Sequence, residues 1–362
     1  MMSQTRTIGV VTGGGDCPGL NAAIRAIVRV GKLEHGWRIM GVADGFDGLL
    51  HPEMCRELTI ESVRGILPRG GTILGSTNSL DPFAYPVKDA GTTSTKDCSP
   101  QCFDGLRQLG IEALIVIGGN GTLTIAHRLS QMGMKLVGVP KTIDNDLQLT
   151  DVTLGFDSAL HVAMDAIDRL HTTAESHHRV IVVEVMGRDA GWIALDGGVA
   201  GGADVILLPE IPFTIDNVCA AIRRREAAGR RSSIIVVAEG VKLPERDASG
   251  KSMAKQPGEH VADALARAIR ECSGKEVRAM VLGHMQRGGS PSPFDRILAT
   301  RFGAAAAELV SKDAYGQMVS LRGGKVGSVP LAGAISPVRL VNPASETLRA
   351  ARAVGISFGD RA

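Results

Sequence analysis

The stretch Pro140-Lys141-Thr142-Ile143-Asp144-Asn145-Asp146 sets two carboxylates, an amide, a hydroxyl and an ammonium close together. It follows the apolar run 135–139, which has the composition of a buried strand. Crowding such groups at a strand end gains a fold nothing, because like charges repel and each polar group must be solvated or paired. A reaction that moves a proton and a phosphoryl group needs that collection.

Glycine-rich turns end other apolar runs. Val10-Val11-Thr12 leads into Gly13-Gly14-Gly15-Asp16-Cys17-Pro18-Gly19-Leu20-Asn21. Ile115-Val116-Ile117 leads into Gly118-Gly119-Asn120-Gly121-Thr122, with a helix capped near Thr122. Glycine lets the backbone approach a phosphate, and a helix N-terminus adds N–H donors. Tight strand–helix packing also accounts for each turn taken alone. Neither is a Walker loop, and neither fits the dinucleotide fingerprint well. Further runs end in Met186-Gly187-Arg188, in Glu239-Gly240, and in Gly283-His284-Met285-Gln286-Arg287-Gly288-Gly289. Guanidinium forks suit a second, phosphorylated ligand. Arg179 and Arg278 open strands instead, at the opposite sheet edge, where a neighbouring subunit's site is within their reach. The sum is phosphoryl transfer to the hydroxyl of a small phosphorylated molecule.

The elements that must position these groups alternate along the chain. Strands are expected at 7–12, 37–43, 113–117, 135–139, 180–185, 205–208, 233–238 and 278–282, and helices at 19–34, 122–132, 157–172, 214–228, 258–272 and 294–311. Continuous apolar runs indicate strands buried on both faces, hence an α/β fold with mainly parallel sheets and right-handed crossovers. Whether there is one sheet or two stays open. Residues 83–100 and 243–258 read as loops or insertions.

The 362 residues allow two domains. Aromatics are only 3%, so the cores must rest on Val, Ile, Leu and Ala. A net charge of +2 gives no electrostatic case for nucleic acid or an anionic membrane. The cluster Arg223-Arg224-Arg225 with Arg230-Arg231 reads as a solvated helix face. The 6 cysteines are scattered, complete no zinc site, and are expected as free thiols in a cytoplasmic protein. No apolar run is long enough to span a membrane.

The motifs above, with Gly70-Gly71-Thr72-Ile73-Leu74-Gly75-Ser76, closely resemble those of the 6-phosphofructokinases over about residues 7–307. The resemblance implies two similar doubly wound domains. A larger one, 1–155 with about 286–336, would bind the phosphoryl donor; a smaller one, about 156–285 with 337–362, would bind the sugar phosphate. Asp144 would be the general base for the sugar's 1-hydroxyl, Asp146 would orient the turn, and Thr142 would contact the transferring group. Arg188 would stabilise transition-state charge. Met186, Gly187, Glu239, His284 and Arg287 would hold fructose 6-phosphate. Residues matching Arg179 and Arg278 reach it from a neighbouring subunit, implying a homodimer or homotetramer with shared sites. Gly15, Asn78 and Gly118, Gly119, Asn120, Gly121 and Thr122 would form the ATP site. Asn120, Asp144 and Asp146 would serve Mg2+.

The donor turns on two positions. Pyrophosphate users commonly carry Asp where this chain has Gly121, and an Asp there would collide with and repel the α-phosphate of ATP. Gly121 leaves the space free, so ATP is expected. Lys141 is typical of pyrophosphate users but also occurs in a mixed group that uses ATP, so a reversible pyrophosphate-dependent enzyme is the alternative. Two departures stand out. Asn120 replaces an acidic residue that commonly helps bind magnesium, and Asn78 replaces a donor-contacting Arg whose charge Lys141 would supply. Arg25, Arg29 and Arg230 match basic positions of an effector cleft in bacterial relatives, and His171 stands where another Arg is usual. Both carboxylates of the turn are present, which argues against a non-catalytic sensor, and no dinucleotide fingerprint supports an oxidoreductase.

Overall fold

The computed structural model describes residues 5–89, 92–245, 253 and 255–361. In chain order the elements begin β1 (Thr7–Thr12), α1 (Leu20–Leu33), β2 (Arg38–Val42), α2 (Asp47–Leu50), β3 (Arg56–Leu58), β4 (Tyr85–Asp89) and β5 (Thr92–Lys96). They continue with α3 (Ser99–Leu109), β6 (Ala113–Gly118), α4 (Asn120–Gln131), β7 (Leu136–Pro140), α5 (Phe156–His177), β8 (Val180–Val185) and α6 (Trp192–Ala200). Then come β9 (Val205–Leu207), α7 (Ile215–Ala227), β10 (Ser233–Ala238), α8 (Val261–Ser273) and β11 (Val277–Val281). The chain closes with α9 (Pro293–Ser311), β12 (Gln317–Arg322), β13 (Lys325–Pro330), α10 (Leu331–Ala334) and α11 (Glu346–Ala353).

The fold is α/β with mainly parallel sheets, as the apolar runs require. The question of one sheet or two resolves into a seven-stranded sheet, β13-β12-β7-β6-β1-β2-β3, and a four-stranded one, β11-β8-β10-β9. The seven-stranded sheet is parallel except for the antiparallel edge pairs β12–β13 and β2–β3. The four-stranded sheet is parallel throughout. The chain forms two compact units. The first takes residues up to Ile143, then 147–157 and 287–338; the second takes 144–146, 158–286 and 339–362.

In the first unit every residue of β1, β6 and β7 is buried. Alternate positions serve opposite faces. Val11, Leu114, Val116 and Leu136 join the core under α3, α4 and α10. Ile8, Val10, Ile115 and Ile117 are fully buried as well and lie on the other face. Each such side chain contributes about 1.5–3 kcal/mol. α1 and α9 pack on each other, and Gly303 of α9 has Ala23 and Ala26 of α1 within contact distance. In the second unit, β8 and β10 are completely buried, and α8 packs on β8 and β11 with Val261, Leu265 and Ile269 buried. Parallel strands bring the turns after β1, β6 and β7 to one rim of their sheet, and those after β8, β10 and β11 to one rim of theirs.

Two expectations need correction. Residues 83–100 are not a loop. They form a short turn, the antiparallel β4–β5 hairpin and the start of α3, with residues 90 and 91 outside the described set. Thr and Ser favour strand pairing where an edge is available, and the Tyr85 hydroxyl anchors the hairpin on Asp47 at 2.7 Å. In 243–258, residues 246–252 and 254 lie outside the described residues. Not all cysteines are free. Cys219 on α7 and Cys272 on α8 are joined as a disulfide, because those helices pack together and bring the two Cα atoms to 6.5 Å. Among the described residues Cys17, Cys55, Cys98 and Cys102 remain thiols.

Candidate active site

In the first unit the glycine turn after β1 is tied to its neighbours by backbone bonds. Gly13 N–H donates to Ile117 O at 3.0 Å, and Gly14 N–H to Thr77 O at 3.1 Å. Lys141, only 1% exposed, reaches from the end of β7 and donates through Nζ to Gly13 O at 2.8 Å and Gly15 O at 2.6 Å. The expected phosphate-facing charge therefore also holds the turn's carbonyls. Lys141 N–H bonds Gly118 O and Thr142 N–H bonds Leu154 O, so both residues have a fixed backbone. A cavity of about 300 Å³ opens beside the turn, lined by Gly14, Gly15, Asp16, Thr72, Ser76 and Asn78.

The glycines divide by role. A Cβ on Gly13 or Gly118 would lie within 2.6 Å of the Thr122 side chain, so these two exist to let the buried Thr122 pack. A Cβ on Gly119 would meet Lys141 O at 3.2 Å. A Cβ on Gly121 would meet nothing within 4 Å. Thr122 is not the cap: α4 begins at Asn120, two residues earlier, and its cap position Gly119 has no side chain. Asn120 carries Thr124 Oγ1 on its backbone carbonyl at 2.8 Å. Arg287, assigned by resemblance to the sugar phosphate, lies in the first unit. Its Nη1 donates to Asp16 O at 3.3 Å and stands where a side chain on Gly15 would project.

The carboxylates Asp144 and Asp146 belong to the second unit and are 4% and 7% exposed. Burial first, then the neighbouring Asp144 charge, pushes the Asp146 carboxyl up to about 6, against the lowering pull of its own backbone hydrogen bond, Arg188 and Arg339. Asp146 Oδ1 is buried with no hydrogen-bond partner among the described residues. Asn145 between them has φ 51°, a left-handed conformation that Asn tolerates.

At the rim of the four-stranded sheet, Glu239 Oε1 accepts from Gly187 N–H at 3.2 Å and Arg188 N–H at 2.8 Å. That bond holds the turn after β8 with Gly187 at φ 147° and Arg188 at φ 53°. The Arg188 and His284 side chains are exposed, and Met186 is half-buried. The structure thus joins Gly187, Arg188 and Glu239 directly. Arg179 and Arg278 are elsewhere, at the amino ends of β8 and β11, both paired with Glu276. Of the residues matched by resemblance to an effector cleft, Arg25 and Arg29 line a cavity of about 220 Å³ beside α1, and His171 Nε2 lies 2.7 Å from Gly201 O.

Sequence reasoning missed Thr72, Ser76 and Asp16 as cavity walls, although the quoted glycine motifs flank them. It also missed Arg339, which bonds the carboxylate turn from far along the chain, and no local pattern marks it.

The family model described as phosphofructokinase matches residues 7–310. The chain belongs to the phosphofructokinase family. It is 50% identical to the ATP-dependent 6-phosphofructokinase of Chloroflexus aggregans, over 99% of each chain. It is 49% identical to the pyrophosphate–fructose 6-phosphate 1-phosphotransferase of Streptomyces coelicolor, over 97% of this chain and 99% of that one. Among solved structures it resembles Pichia pastoris phosphofructokinase in the T-state, with TM-score 0.80 and 31% identity. That match covers 99% of this chain and 37% of the Pichia chain, so the chain spans well under half of that relative's length. Similar enzymes of Chloroflexus aurantiacus and Clostridium perfringens are likewise named ATP-dependent, so the weight of the relatives lies with ATP.

No His, Cys, Asp or Glu cluster of three or more that could hold a metal occurs among the described residues. The donor chemistry nonetheless fits magnesium, which binds through one or two carboxylates plus substrate phosphates. The buried Asp146 oxygen beside the Asp144 charge is such a pair.

Proposed function

We propose that this protein transfers the γ-phosphoryl group of ATP to the 1-hydroxyl of fructose 6-phosphate, giving fructose 1,6-bisphosphate and ADP in cytoplasmic glycolysis. The observation that carries the reading is the buried turn Lys141–Asp146, whose two carboxylates stand in a water-poor environment. The Asp144 carboxylate takes the hydroxyl proton as the sugar oxygen forms its bond to phosphorus and the bond to ADP breaks. Thr142 contacts the transferring group, and the exposed Arg188 closes on the charge that develops. Magnesium, when bound, neutralises donor phosphate charge; Asp144, Asp146 and Asn120 would hold it.

The first unit would take the donor, with Gly15, Asn78 and the 118–122 turn around the phosphates and Gly121 leaving room for the α-phosphate. The second would take fructose 6-phosphate through Met186, Gly187, Glu239 and His284, joined by Arg287. Arg179 and Arg278 would serve the site of a second copy, in a homodimer or homotetramer. The reversible pyrophosphate-dependent reaction is the second reading, favoured by the buried Lys141 and by the Streptomyces relative. A coupled assay run with each donor separates them: turnover with pyrophosphate and none with ATP overturns the proposal.

A further inference from the structure

We infer that Arg339 is a positioning residue for the reaction, clamping the carboxylate turn from behind by its backbone. This rests on the phosphoryl transfer proposed above. The guanidinium donates through Nε and Nη2 to Asn145 O at 3.1 and 2.8 Å. The Arg339 N–H donates to Asp146 O at 2.8 Å. Three hydrogen bonds therefore fall on the two carbonyls that follow Asp144. Such charge-assisted bonds are stronger than neutral ones, and a fork onto one oxygen fixes direction as well as distance.

The clamp is itself held. Its guanidinium carbon lies 4.5 Å from the Trp192 ring centroid, and Trp192 Nε1 donates back to Arg339 O at 2.9 Å. One indole thus fixes both the side chain and the backbone of Arg339. Asp196, one turn along α6, is close enough for the Arg339 charge to favour its ionised form. All of these residues belong to the second unit. Asn145 sits at φ 51°, a sparsely populated conformation, and its carbonyl oxygen lies between two carboxylates in sequence. A fixed cation there offsets both costs. Without it the turn gains alternative backbone conformations, and Asp144 loses its fixed aim. A misplacement of about 1 Å in such a group lowers turnover by about 100-fold.

The test compares R339A, R339K and W192F with the wild type, measuring kcat, both KM values, thermal melting and amide hydrogen exchange over 140–148. R339A is expected to lower kcat by about 100-fold with both KM values within about threefold, and to speed exchange in the turn. R339K should recover about tenfold of that loss, since an ammonium still reaches one carbonyl. W192F, which keeps an aromatic face of smaller area and drops the N–H, should lose about threefold. A folded R339A with kcat within twofold of wild type overturns the inference, as does unchanged exchange, a loss confined to KM, or R339K no better than R339A. If R339A does not fold, R339K and W192F decide by the same criteria. Wild-type protein inactive with ATP is a failure of the proposed activity instead. The same variants are then read with pyrophosphate and, failing that too, by exchange alone.

Discussion

Two turns would carry the proposed chemistry, and each is held by a cation on backbone carbonyls, yet they are held differently. The glycine turn Gly13–Gly15 is gripped by Lys141, a buried ammonium bonded to two carbonyl oxygens, with Gly13 and Gly14 facing Thr122. The carboxylate turn is gripped by Arg339, a planar fork laid on Trp192. A point charge suits the first, because it must serve carbonyl oxygens of two different residues. A fork suits the second, because its direction must be set beside two carboxylates. The glycine turn is shaped by packing and the carboxylate turn by charge, so they should fail in different ways.

The largest effect is expected at the carboxylate turn. Asp144→Ser should lower kcat by about 10³- to 10⁴-fold with little change in KM for fructose 6-phosphate, because a general base acts mainly in the transition state. Steady-state kinetics check this, and near-normal turnover removes Asp144 from the role. Lys141→Met strips the grip from the other turn. It should cost about 2–4 kcal/mol of stability, read from denaturant unfolding, and about 100-fold in kcat/KM for ATP. Loss of turnover without loss of stability would show that Lys141 acts on the donor alone.

Gly121→Asp tests packing against charge. No atom stands within 4 Å of the new Cβ, so the fold should tolerate the change. KM for ATP should rise about 10- to 100-fold through repulsion of the α-phosphate, with fructose 6-phosphate binding unaltered. An unchanged KM for ATP would falsify the reading of Gly121 as the donor-selecting position.

The smallest effect concerns the support behind the carboxylate turn. Burial pushes the Asp196 carboxyl up to about 6 from 3.8, opposed by Arg339. A carboxyl raised on folding favours the folded state while protonated. Its contribution is complete below about pH 4 and is lost as pH rises through about 6. Asp196→Asn should therefore raise the melting temperature at pH 8, by on the order of 2 kcal/mol in stability, and change little at pH 4. Equal shifts at both pH values would place the effect in packing rather than ionisation.

Much of the fold was legible because its strands are buried on both faces. Runs such as 180–185 and 233–238 coincide with β8 and β10 residue for residue. The edges were not legible. β13 is an edge strand and mostly exposed, and the β4–β5 hairpin looks like a Thr- and Ser-rich loop until it pairs. In the site, residues clustered in a turn could be named, but their hydrogen-bond partners could not. Asp16 O, which accepts from Arg287 beside Gly15, was one such partner. Thr122 looked like a cap and is a packed core side chain.

By itself, the sequence determined the chemistry-bearing turns, the strand–helix alternation that places them at strand ends, and the family. Those are local properties of composition and order along the chain. Tertiary structure alone decided that Lys141 would hold Gly13 and Gly15, that Arg339 would reach back to Asn145, 194 positions earlier, and that Gly121 would face open space. Contacts between residues so far apart depend on where the sheets return the chain, and no local pattern encodes that.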